Sequence, residues 1–95
     1  MPVFQIHLNG KRVSTAGVGK LGVLSAHVTW VRRAGEDEEL TLHVGGLVTP
    51  TDERVRWLDR KLKVGDEVSI RVAKDAPVDR PKSRERRDRS KDLRA

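Results

Sequence analysis

The chain has no cysteine and no tyrosine, and its only aromatics are two tryptophans and one phenylalanine. Without thiols there can be no disulfides, thiolate metal sites or thiol nucleophiles, and the composition suits a reducing cytoplasm, where the protein is expected to act. So few rings leave no stacking platform of the RNA-recognition or OB type. No apolar run reaches the 18 or so residues that a membrane-spanning helix needs, so no membrane partner is expected. Met1-Pro2-Val3-Phe4-Gln5 lacks a basic region followed by an apolar core and does not read as a secretory signal. Gly17-Val18-Gly19-Lys20 lacks the glycine spacing of a phosphate-binding loop, and a strand follows it where that loop needs a helix.

What is present is a 95-residue chain in which apolar and charged residues each make up 36%. That length allows one domain with one small core. The formal charge of +6 is unevenly placed. Residues 79–95 hold eight basic and four acidic side chains, whereas residues 1–78 hold twelve and ten. The strongly basic character therefore comes mainly from the C-terminal end, which weakens any inference that the domain itself is built around nucleic acid.

The alternation of apolar and polar residues sets the expected elements. Phe4, Ile6 and Leu8 share one face of a strand, and Asn9-Gly10 follows at once as a hairpin turn. Pairing Leu8 with Lys11 sets His7 opposite Arg12 and Ile6 opposite Val13. Ala16 to Gly22 reads as a loop. Val23 to Arg33 is the longest strand candidate, with Leu24, Ala26, Val28 and Trp30 on one face. After an acidic turn, Leu40, Leu42 and Val44 point inward from a fourth strand. Thr49-Pro50-Thr51-Asp52-Glu53 then resembles a helix start, with a capping threonine, proline in the first turn and acids at the positive end. Val55, Leu58 and Leu62, at i, i+3 and i+7, give that helix a buried stripe. The turn at Val64-Gly65-Asp66 leads into a last strand in which Val68, Ile70 and Val72 alternate with Ser69 and Arg71.

These elements predict an α+β fold in β-β-β-β-α-β order. An antiparallel sheet of about five strands carries one short helix on its apolar face, within a single domain at residues 1–75. Twelve residues are expected in one core: Phe4, Ile6, Leu8, Leu24, Val28, Trp30, Leu40, Leu42, Val55, Leu58, Val68 and Ile70. Residues 76–95, with two prolines and dense mixed charge, read as a disordered basic tail, and deleting residues 79–95 is expected to leave the melting temperature within a few degrees.

Three segments carry a resemblance: Leu42-His43-Val44-Gly45-Gly46-Leu47, Thr51 to Leu58, and Leu62-Lys63-Val64-Gly65-Asp66-Glu67-Val68. Asn9-Gly10-Lys11 with Ala16-Gly17, and Gly22-Val23-Leu24-Ser25, add to it. Together they resemble a family of small uncharacterised bacterial hypothetical proteins over roughly residues 5–80. The resemblance implies no activity, ligand, cofactor or catalytic residue.

Candidate chemistry is sparse. A register that sets Trp30 against Leu40 also sets His27 against His43, and two imidazoles with a carboxylate such as Glu39 are potential zinc or copper ligands. The alternative is that they are half-exposed polar residues on the solvent face. Ser14, Ser25 and Ser69 sit on strands without a nucleophile elbow. Asp66 is explained as a turn residue that satisfies local amides. On a helix, Trp57 would lie off the buried stripe among Arg54, Arg60 and Lys61, as a binding hot spot does. Against that, large aromatics are usually mostly buried, which favours a Trp57 that seals the core edge.

The candidate binding residues are therefore Trp57, Arg54, Arg60 and Lys61, with Arg80, Arg84, Arg86 and Arg87 from the tail. The expected function is that of a small, non-enzymatic, cytoplasmic interaction protein with an unknown protein partner and no cofactor. The alternative is a weak, sequence-nonspecific nucleic-acid binder in which the tail arginines neutralise phosphates.

Overall fold

The computed structural model describes residues 1–86. Seven strands follow one another: β1 (Pro2–Leu8), β2 (Lys11–Ala16), β3 (Gly22–Val31), β4 (Glu39–Val48), β5 (Glu53–Lys61), β6 (Val68–Lys74) and β7 (Ser83–Arg86). They form a three-stranded sheet in the order β2-β1-β6 and a four-stranded sheet in the order β3-β4-β5-β7, with every pairing antiparallel. No helix occurs among the described residues, so the expected α+β architecture is corrected to an all-β one.

The segment read as a helix is β5, and a β-bulge explains the misreading. Val44 stands opposite Leu58 and Gly45 opposite Arg56, so Trp57 is an extra residue in β5. A bulge resets the alternation by one position, which puts Val55, Trp57 and Leu58 toward the same core. The resulting 55–58–62 spacing imitates a helical stripe. The supposed helix start is the preceding hairpin turn. The Asp52 amide donates to the Thr49 carbonyl at 3.2 Å. Asp52 then adopts a left-handed φ of 54°, which Asp tolerates better than most residues. Proline and aspartate serve this turn as readily as they serve a helix N-terminus.

The two sheets meet through one core of Ile6 and Ala16 from the first and Leu42, Val44, Val55 and Trp57 from the second. Of the twelve expected core residues, Ile6, Leu8, Leu42 and Val55 are buried. Phe4, Leu24, Leu58 and Val68 are partly buried against them, and Leu40 is half-buried. Val28, Trp30 and Ile70 are exposed, because they sit on the edge strands β3 and β6. The first hairpin keeps the expected Leu8–Lys11 and His7–Arg12 pairs, but a bulge at Val13 sets Ile6 against Ser14. The second hairpin has Trp30 opposite Leu40 and His27 opposite His43, the register under which the two imidazoles meet.

Residues 76–86, expected to be part of a disordered tail, are built into the fold. Asp79 is the anchor. Its amide donates to the Thr15 carbonyl at 2.9 Å, and its Oδ2 accepts from the Thr15 amide at 2.9 Å and from Arg12 Nη1 at 3.0 Å. Its carbonyl accepts from Trp57 Nε1 at 2.7 Å. One residue thus ties β2 of the first sheet to β5 of the second. Gly17 has no side chain, and a Cβ there would lie 3.0 Å from both Val3 Cγ1 and Val78 Cγ2. The Lys82 amide then donates to the Arg56 carbonyl at 2.8 Å, and β7 pairs with β5. Composition hid this segment because hydrogen bonds, not apolar burial, hold most of it.

Candidate functional site

In an antiparallel ladder, directly opposed residues share a face, so the registers sort the side chains. On the face of the four-stranded sheet turned away from the core, Val23, Ser25 and His27 of β3 lie beside Leu47, Gly45 and His43 of β4. Arg54, Arg56 and Asp59 of β5 follow, and then Glu85 and Ser83 of β7. Across this face runs an open cleft of about 500 Å³ lined by Ser25, His43, Gly45, Arg54, Arg56 and Glu85, among others. Gly45 forms its floor, where a Cβ would meet the Val55 carbonyl oxygen at 2.8 Å and His43 Nε2 at 3.2 Å.

The chemistry of the cleft is that of a polar surface. Ser25 Oγ donates to the Gly45 carbonyl at 3.4 Å, so its proton is directed at the main chain. Arg56 Nη1 lies 3.1 Å from Asp59 Oδ2 in an exposed pair. The His27 and His43 rings have centroids 4.9 Å apart at 32°. Glu39 lies four residues along β4 from His43, about 13 Å at the rise of a strand, and Asp59 is held by Arg56. Among the described residues no cluster of three or more His, Asp or Glu side chains is arranged to hold a metal.

The sequence-derived candidates do not converge. Trp57 is buried, only 6% exposed, with its indole N–H on the Asp79 carbonyl. Arg54 and Lys61 share the outer face, whereas exposed Arg60 stands opposite Leu42 on the core side. Arg80 is exposed on the segment that crosses between the sheets. Arg84 and Arg86 lie on β7, with Arg84 Nη1 3.2 Å from Glu53 Oε1. Arg87 lies outside the described residues. Hydrogen bonding to the Thr51 side chain, reinforced by Arg84, holds the Glu53 carboxyl below the usual carboxylate range.

Asp66 plays the turn role expected of it. Its Oδ2 accepts from the Lys63 amide at 2.9 Å, and its Oδ1 accepts from Asn9 Nδ2 at 3.1 Å. Asn9 in turn exchanges main-chain and side-chain bonds with Glu67, so the two turns are locked together. The Lys63 amide and the Asn9 amide together hold the Asp66 carboxyl below its ordinary range.

The surface that the sequence reading missed is the edge of β3. Trp30 is 59% exposed, Val28 53% and Val23 59%. Trp30 Nε1 donates to Glu38 Oε2 at 2.9 Å, which fixes the indole at the rim. The available signal was that Gly22–Val31 is the one long strand without a charged residue or a proline. No family model, curated protein or solved structure matches this chain.

Proposed function

We propose that this protein is a non-enzymatic interaction module of the cytoplasm whose binding element is the edge strand β3. The observation that carries the reading is a contrast among the four sheet edges. β2 carries Lys11 and Arg12, β6 carries Arg71 and Lys74, and β7 reads Ser-Arg-Glu-Arg. Charges of this kind protect a free edge from pairing with another chain. β3 spans ten residues, carries no such charge and exposes large apolar side chains on both faces. A free edge presents unpaired main-chain donors and acceptors, and an extended segment of a protein partner satisfies them by adding a strand. The experiment is affinity capture with tagged wild type and Val28→Lys, with an untagged copy of the chain also supplied. A stoichiometric protein, of either kind, held by wild type and lost by the variant is the expected result. Retention unaffected by the substitution would rule β3 out.

A second reading, nonspecific nucleic-acid binding, is favoured by the placement of Arg54, Arg56 and Lys61 on one face with His27 and His43. It expects retention on RNA at about 50 mM salt that falls steeply by about 200 mM. Under it, Arg54→Ala and Arg56→Ala each flatten the salt slope. No retention at the lower salt would dismiss this reading.

A further inference from the structure

We infer that β3 pairs antiparallel with β3 of a second copy of this chain about a two-fold axis, joining the two four-stranded sheets into one. This inference rests on the reading of β3 as the binding element and names its partner. Two-fold pairing of identical antiparallel strands places the axis perpendicular to the sheet, so each face of one copy continues as the same face of the other. The register then brings even-numbered residues against even-numbered ones, with the axis beside Ala26 or His27. Apolar side chains at the end of β3 fall against apolar or small ones at its start. Trp30 meets Gly22 or Leu24 of the other copy, and Val28 meets Leu24 or Ala26. The strand is thus complementary to itself.

Two further features bear on pairing with a second copy. The first is charge: Gly22–Val31 carries no charged residue, so pairing the strand with itself sets no like charges against each other along its length. The second is area. In either register about nine residues overlap, and their pairing satisfies about nine main-chain hydrogen bonds, close to the number of an ordinary interface. The exposed parts of Val23, Val28 and Trp30 with the strand edge amount to on the order of 500 Å² per copy, against about 800 Å² for a standard stable interface. The expected assembly is therefore a weak, concentration-dependent dimer.

Sedimentation of the full chain over about 1–300 µM spans the range of such a weak interface. Wild type should pass from the 10.7 kDa of one chain toward twice that mass. Val28→Lys should raise the dissociation constant roughly tenfold or more, through a desolvated charge at the seam. Val23→Lys places the charge on the opposite face and serves if Val28→Lys disturbs folding, as checked by circular dichroism. Hydrogen exchange supplies the independent readout, with Gly22–Val31 amides slowing as wild type is concentrated and not doing so in the variant. A wild type that stays monomeric at 300 µM would overturn the second copy as partner. Loss of a different captured protein in Val28→Lys would then leave the reading of β3 as binding element standing. A dimer that both variants retain, with β3 amides still exchanging freely, would also overturn the proposal by placing the interface elsewhere.

Discussion

The two tryptophans of this chain report two differently built sides of one molecule. Trp57 sits where the sheets are tied together, buried beside Ile6 and Val55, with its N–H on the Asp79 carbonyl. Trp30 sits on the opposite border of the four-stranded sheet, on an edge that no described strand covers. On the tied side, polar groups are matched across elements. The Asp79 carboxylate meets the amide of buried Thr15, and no buried side-chain nitrogen or oxygen among the described residues lacks a partner. On the free side, apolar groups face solvent and main-chain groups of β3 await pairing. The contrast separates residues that hold the fold from residues left for recognition. Sequence reading alone placed Trp30 in the core, which the structure corrects. It held Trp57 both as a binding candidate and, in the reading it favoured, as a buried seal on the core edge, which is where the structure has it.

Substitutions on the two sides should differ accordingly. Trp57→Ala removes a buried indole and leaves the Asp79 carbonyl without its donor. Its cost should be about 3–5 kcal/mol in chemical denaturation, whereas Trp30→Ala should cost about 0.5 kcal/mol. Equal costs would erase the distinction. Removing residues 76–95 should lower stability by roughly 2–4 kcal/mol, since it takes away the Asp79 bonds and the β7 pairing. A truncated chain that melts within a few degrees of the full one would show that the tied side is not held by this segment. Asp79→Ala should cost about 1–3 kcal/mol, because the buried Thr15 amide loses its acceptor.

The smallest effect is that of pH on the locked turns. Because the folded state holds the Asp66 carboxyl below its ordinary value near 3.9, the bonds it accepts contribute stability above that pH. That contribution is lost as pH falls through the lowered value. Melting temperature should therefore drop less steeply below about pH 4 in Asp66→Asn than in wild type. Identical acid profiles would show that the turn contact adds nothing.

Much of the strand plan was legible because it rests on local rules. Asn9-Gly10 marks the first hairpin, and alternation in β3 and β4 limits the second to registers that keep one apolar face, among them the one that sets His27 against His43. β5 was not legible, since one extra residue at Trp57 converts a period of two into a spacing that a helix also satisfies. β7 was not legible either, as Ser83–Arg86 carries no apolar residue and is recruited by hydrogen bonds to β5. The exposed state of Trp30 depends on which strands end up at sheet edges. That is a property of the whole topology, and nothing local to Val28, Thr29 and Trp30 encodes it.

The division between a tied side and a free side is tested most directly by solvent quenching of the two indoles, one at a time. Trp30→Phe leaves only the Trp57 emission, and Trp57→Phe leaves only that of Trp30. In dilute protein, acrylamide should quench Trp30 strongly and Trp57 weakly. As concentration rises, Trp30 should become protected while Trp57 stays unchanged. An accessible Trp57, or a Trp30 shielded even at the lowest concentration, would contradict the account.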